Sequence, residues 1–301
     1  MLAKCVVASL SIPGADISTR ASFIAENGRS ESVMMKTSSL IKAILLAGTL
    51  GAAWAQPKAG PGKAARVGYL TPAQAPDVVR IVPVAPVIGD SRDALDVVVF
   101  RSTRDLEGSP RWSMAQRDND VSTAGIFRAY SCCLGVALTR ENAPKLTALI
   151  TKATVDGATT FTRLKQVNEQ RKRPFLVAEG PICLNRPTGL ENNPDYPSGH
   201  TTFGWEVGLI LAQLAPDAAT NILSRARAFG ESRVVCGVHN LSAVEAGVTT
   251  ATAVVAALNG SAAFRADLEA ARSELMELRT SSSDKPAACA TEAEIAAEHP
   301  Y

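Results

Sequence analysis

Between Asn142 and Thr280, apolar residues recur at spacings of three and four. The run is cut only at Pro174, a four-proline stretch over 176–198, Pro216 and Asn259-Gly260-Ser261. That period lays one apolar stripe along an α-helix and fits no strand alternation. It predicts helices over about 142–171, 199–214, 217–229, 238–258 and 261–280, each ended by a residue that breaks the pattern. Upstream, "DALDVVVFRSTRDLEG" reads as a helix closing near Gly108. Ser109-Pro110 then supplies a capping serine and a proline at the first helical position, for a helix expected to run on to Leu138. Residues 56–93 are rich in Pro, Ala and Gly and read as an extended entry segment. The tail from Ser281 is small and polar and is expected to be loose. Strand signals are nearly absent and nothing repeats. The expected fold class is all-α, a single helical bundle-type domain.

From Met35 the chain reads "MKTSSLIKAILLAGTLGAAWAQP", with Lys36 and Lys42 before an apolar run and Ala53-Trp54-Ala55 before Gln56. This is the layout of a secretory signal peptide over 35–55 with a small-x-small cleavage site. The run from Ala43 to Ala55 is shorter than the about 20 residues a bilayer span needs. The product is therefore expected to run from Gln56 to Tyr301, periplasmic or secreted, with no membrane association after processing. Residues 1–34 read as an over-called start or an extension. Residues 1–55 hold five Lys/Arg and three Asp/Glu, which leaves 26 of each sign from the chain's 31 and 29. A nucleic-acid binder would normally show a basic excess, so that class is not expected. The product keeps Cys132, Cys133, Cys183, Cys236 and Cys289, an odd set that leaves one thiol over in a compartment that favours disulfides. With no CxxC pair and three histidines in all, no metal site is expected.

The stretch "NNPDYPSGHTTFGW" (192–205) places Ser198, Gly199 and His200 where a loop becomes a helix. A helix N-terminus offers unpaired backbone N–H groups and the positive end of the dipole, a ready site for an anion such as phosphate. The plain alternative is a Ser-Gly cap with a solvent-facing histidine. Two further clusters bear on the choice. Arg173 ends a helix in "RKRPF", and in "ESRVVCGVHNLSAVEAG" Arg233 lies six residues before His239. Two arginines, a helix N-terminus and two histidines are the parts phosphoryl transfer needs. Guanidinium forks and amides hold the oxygens, one imidazole attacks and the other protonates the leaving group. His299, in the tail, is assigned to solvent.

Taken in order, Arg-Pro, Pro-Ser-Gly-His and Ser-Arg with five residues before His resemble the three-part signature of the type 2 phosphatidic acid phosphatase superfamily. Within that superfamily, "TRDLEGSPRWSMAQRD" (103–118) and "SRVVCGVH" are similar to the bacterial class A non-specific acid phosphatases. The resemblance covers roughly residues 80–260 and implies the vanadium haloperoxidase-like helical fold. It implies His239 as a nucleophile that forms a phosphohistidine and His200 as the general acid. Arg173, Arg233, Lys165 and the amides of Ser198 and Gly199 would hold the phosphoryl oxygens, all converging on one pocket. It implies no cofactor or metal, small-molecule phosphomonoesters as substrates, and leaves room for a homo-oligomer. It also favours pairing Cys183 with Cys236, which puts Cys289 with Cys132 or Cys133.

Two positions depart from the signature. The lysine expected seven residues before Arg173 is Gln166, with Lys165 one residue further back. A one-residue shift turns a helical side chain by about 100°. The aspartate expected four residues after His239, where it would orient the ring, is Ala243. Glu245 points well away on a helix, and Ser242 is neutral. Two readings follow: an exported acid phosphatase slowed by these losses, or a degenerate relative that binds phosphate without turnover. A third reading, a vanadate-dependent haloperoxidase, shares the signature, but it suffers from the same groups missing in this chain and usually needs a larger one.

Overall fold

The computed structural model describes residues 66–185, 189–281, 283 and 286–301. The segments read as an over-called start and a signal peptide lie outside the described residues. Every regular element among the described residues is helical. In chain order they are α1 (Val78–Ile81), α2 (Ser91–Ser102), α3 (Pro110–Arg117), α4 (Thr123–Leu134), α5 (Pro144–Val167), α6 (Gly199–Leu214), α7 (Ala219–Val235), α8 (Leu241–Leu258), α9 (Ala262–Ser281) and α10 (Cys289–Ala297).

Side-chain caps set several of these starts. Asp90, Ser109, Ser122 and Ser198 accept the N–H of Asp93, Trp112, Gly125 and Thr201, satisfying donors that a first turn leaves open. The helix expected from Ser109 to Leu138 is two helices. Asp118-Asn119-Asp120 turns the chain, Asp120 accepts the N–H of Ser122 at 3.0 Å, and Ser122 caps α4. Short polar side chains that bond their own backbone compete with helix interiors, so this sequence breaks where its apolar period does not. By contrast α7 runs on to Val235, six residues beyond the expected end, and α8 starts at Leu241 rather than 238.

α6 lies at the centre, against α5, α7 and α8. Its Gly204 and Gly208 are one turn apart and let α7 approach closely. A Cβ at 204 would lie 2.3 Å from the Phe229 ring, and one at 208 would lie 2.5 Å from the Ala226 Cβ. Phe127, Tyr130, Leu146, Leu149, Ile210 and Phe264 fill the surrounding core. The Tyr130 hydroxyl donates to the Gly204 carbonyl at 2.7 Å. α8 has the length and apolarity of a membrane span, yet its Ala243, Ala251, Val254 and Leu258 are buried against the other helices. That is how a core helix packs.

The expected loose tail is a correction. Cys289 is bridged to Cys132, leaving Cys133 as the free thiol among the described residues. Arg225 Nε donates to Glu292 at 3.0 Å, Arg227 donates to the Ala296 carbonyl at 2.8 Å, and Ile295 and Ala296 pack on Met114 and Ala228. Small residues give no periodic stripe to read. Here a covalent tie and two arginines from α7 replace that stripe.

Candidate active site

The five residues between Arg233 and His239 form the end of α7 and the chain's return. Gly237 adopts φ 76°, the left-handed conformation that closes a helix at little cost to glycine. The N–H groups of Val238 and His239 both donate to the Arg233 carbonyl, at 3.1 and 3.3 Å. His239 is thereby folded back beside Arg233, in the turn before α8. Arg104 caps this helix end. Its Nη2 donates to the carbonyls of Val234 and Val235 at 2.9 and 2.7 Å, its Nη1 donates to Pro181, and its guanidinium lies over the rings of Phe100 and Trp112. Cys183 and Cys236 are bridged, with Cα atoms 4.6 Å apart, and the Cys183 N–H donates to the Cys236 carbonyl at 2.9 Å. Closing a loop of this length contributes about 4 kcal/mol in the chain-entropy model. The pairing implied by the resemblance is present and ties the Arg-Pro side of the site to the His239 turn.

Arg173, in extended backbone before Pro174, reaches the same point from α5. Its Nε donates to the Asn193 carbonyl at 2.7 Å and its Nη1 to the Val238 carbonyl at 2.6 Å. The same Nη1 lies 3.1 Å from His239 Nε2. A guanidinium can only donate, so Nε2 carries a lone pair and the ring proton sits on Nδ1. Nδ1–H donates to Asp195 Oδ1 at 3.0 Å. The expectation that this imidazole lacks a carboxylate partner is therefore wrong: Ala243 is indeed empty of one, and Asp195 supplies it. Asp195 is fully buried, and its carboxylate also accepts the N–H and the Nδ2 of Asn240, at 3.2 and 2.9 Å.

Asn119, in the break between α3 and α4, holds the opposite wall. Its Oδ1 accepts Arg233 Nη1 at 3.2 Å and its carbonyl accepts His200 Nε2 at 3.2 Å. A carbonyl only accepts, so His200 carries its proton on Nε2 and leaves Nδ1 open. Arg233 is 2% exposed and its Nε is buried without a partner, the condition of a donor awaiting an anion. One turn of α5 carries Phe161 and Lys165. The Phe161 ring lies 3.3 Å from where a Cβ on Gly199 would be, and Lys165 Nζ is 5.9 Å from that ring. Lys165 therefore overhangs the start of α6, half-buried, while Gln166 is exposed. α5 runs unbroken through Lys165. The extra residue is taken up after it, in the turn where Asn168 N–H donates to the Lys165 carbonyl and Arg171 N–H to that of Asn168.

One expected ligand moves. The Ser198 N–H donates to the Ala243 carbonyl at 2.9 Å, and its Oγ caps Thr201, so the serine amide is committed to the fold. The N–H groups left open at this helix start are those of Gly199 and His200, the first two residues of α6. The open amides start one residue later than expected.

Burial, then the cations of Arg173, Arg233 and Lys165, hold the His239 imidazole well below the usual histidine range. Burial and the neighbouring Arg233 do the same to His200. Burial beside Arg173 pulls Lys165 down to about 8. Burial pushes the Asp195 carboxyl up to about 6, against the pull of Asn240 and Arg173. The site is thus a nest of cations around two neutral imidazoles, one with its lone pair turned inward.

His239, His200, Arg173, Arg233, Gly199 and Lys165 are brought together as the motif order predicts. Two contributors escape a motif reading, Asn119 and Asp195. Their trace in the sequence is compositional: Asp-Asn-Asp interrupts a helical pattern, and Asp195 sits in the Pro-flanked stretch before Tyr196-Pro197-Ser198.

The profile of the PAP2 superfamily matches residues 145–265. An acid phosphatase of Zymomonas mobilis subsp. mobilis is 46% identical over 197 residues, covering 65% of this chain and 74% of the relative. A non-specific acid phosphatase of Providencia stuartii is 32% identical over 212 residues, 70% of this chain and 86% of the relative. One from Salmonella typhimurium is 33% identical over 171 residues, 56% and 68%. With the helical fold and the order of its motifs, this likeness settles the lineage: the chain belongs to the PAP2 superfamily, among its acid phosphatases.

Proposed function

We propose that this chain is an exported acid phosphatase that hydrolyses small phosphate monoesters through a phosphohistidine on His239. The observation that carries the reading is the inward Nε2 lone pair of His239, 3.1 Å from Arg173 Nη1, with Arg233 and Lys165 in the same cation cluster. A phosphoryl group entering between Arg173, Arg233, Lys165 and the Gly199 and His200 amides would take over these donors. Nε2 then attacks phosphorus as the ester P–O bond breaks, and the leaving oxygen takes a proton from His200. Water attacks the phosphohistidine next. Its proton passes to His200, the P–N bond breaks and phosphate leaves. His200 starts neutral with Nδ1 open, and the negative charge of a bound phosphate offsets the cations that hold its pKa down, so that Nδ1 takes up the proton the leaving oxygen then receives. Export is supported by the signal-like layout of residues 35–55 and by two disulfides, which persist in oxidising compartments.

Hydrolysis of p-nitrophenyl phosphate tests this reading. Protonating Nε2 removes the attacking lone pair, so the acid limb of kcat/KM reports His239. Because its pKa lies well below 6.5, the limb is expected well below that value and turnover persists in acid. No hydrolysis between about pH 4 and 8, or an acid limb at or above 6.5, would count against it.

A further inference from the structure

The PAP2-type signature places an orienting aspartate on α8, one helical turn after the nucleophile. Here that residue is Ala243, fully buried against Leu164 and Tyr196. Ser242, the neutral candidate beside it, faces elsewhere: its N–H and Oγ donate to Asp96 at 2.8 and 2.6 Å, and Asp96 pairs with Arg171. Glu245 is exposed. The only carboxylate on the imidazole, among the described residues, arrives from another segment. The bond from Ser198 N–H to the Ala243 carbonyl fixes that segment against the first turn of α8. The Asp195 N–H donates to the Arg171 carbonyl at 3.0 Å, fixing the other end. Position 243 and the segment carrying Asp195 therefore meet at one backbone contact, and of the two only Asp195 brings a carboxylate to Nδ1.

We propose that Asp195 is the positioning residue for His239, a relocated orienting carboxylate, and that Ala243 is small because only one acid fits against that nitrogen. Asp195 holds the tautomer with its proton on Nδ1 and stabilises the charge the ring gains as Nε2 bonds to phosphorus. A second acid at 243 would meet the first inside a dry space, where like charges repel strongly. The two positions therefore form an exchangeable pair. The inference rests on the phosphatase reading for its kinetic consequences, but the tautomer it assigns exists without turnover.

The test uses the full chain as wild type, Asp195→Ala, Asp195→Asn, Ala243→Asp and the double variant Asp195→Ala/Ala243→Asp. Asp195→Ala is expected to lower kcat by about 10²- to 10⁴-fold, by analogy with other histidines stripped of their carboxylate. Inhibition by vanadate, held by the arginines, should change far less. Ala243→Asp is expected to slow the wild type yet speed Asp195→Ala at least tenfold, a reversal of sign that a merely structural aspartate would not give. Asp195→Asn keeps the volume but has one acceptor oxygen for three donors, and covers the case in which the alanine variant does not fold. In NMR spectra of the histidines, the His239 Nδ1 proton, bonded to a carboxylate, should lie far downfield in the wild type and move upfield in Asp195→Asn. An unchanged His239 Nδ1–H signal in Asp195→Asn overturns the proposal, as does Ala243→Asp acting in the same direction in both backgrounds. A wild type that shows no turnover but has this Nδ1–H dependence would sink the phosphatase reading and leave the positioning role standing.

Discussion

Replacing His239 with alanine is expected to abolish hydrolysis, with kcat down by at least about 10⁴-fold, because the other open imidazole nitrogen, His200 Nδ1, belongs to the opposite wall of the site. His200 has Nε2 committed to the Asn119 carbonyl and lies across the site, and Lys165 is a cation over the α6 start. Binding should survive. Arg173 keeps its bonds to the Asn193 and Val238 carbonyls without the imidazole, and Arg233 keeps Asn119. Vanadate or phosphate should therefore still bind the alanine variant, detected by calorimetry, while p-nitrophenyl phosphate is not turned over. Hydrolysis near the wild-type rate would remove His239 from the chemistry.

Asp118→Ala is expected to produce the largest loss of stability. Arg225 and Asp118 are 4% and 2% exposed, and both oxygens of Asp118 accept from Arg225, at 3.1 and 2.5 Å. Asp118 also accepts the Ser232 hydroxyl at 2.6 Å, and the buried Arg111 donates to Ser232 Oγ at 2.9 Å. Removing the carboxylate strands a buried guanidinium, which costs about 3 to 5 kcal/mol. At roughly 2 to 4 °C per kcal/mol for a domain of this size, calorimetry should find the melting temperature lowered by about 6 to 20 °C. Because Asn119 is the next residue and holds both His200 and Arg233, residual activity measured well below the melting point should fall too. A variant that melts within about 2 °C of the wild type would show that Glu292 alone compensates Arg225.

The sequence made the helices legible wherever a stripe of apolar residues faces a core, because burial is what imposes the period. It made Arg173, Arg233, His200 and His239 legible because the chemistry ties them to short motifs with backbone reasons. The spacing from Arg233 to His239 is one helix end and its return. What stayed hidden depends on partners distant in sequence. Asp195 lies 44 residues from the imidazole it serves, and no local pattern marks which acid a fold will turn inward. The Ser198 amide carries no sign of its commitment to Ala243, since a backbone contact leaves no trace in side-chain identity. α10 is held by a disulfide and by Arg225 and Arg227 rather than by an apolar stripe, so its composition reads as a tail. The break at Asp118–Ser122 is the most legible of these features, because Asp, Asn and Ser favour turns and caps over helix interiors.

The central claim is that the phosphoryl group passes through His239 Nε2. The most direct measurement is to quench the wild type in alkali during turnover of a ³²P-labelled monoester and map the label by peptide sequencing. Phosphohistidine survives base and is lost in acid, which separates it from serine or threonine esters. Acid-labile label is expected on the peptide containing His239 and is expected to be absent from the His239→Ala variant. Label on another residue, or steady hydrolysis with no protein-bound phosphate trapped within the first turnover, would contradict it.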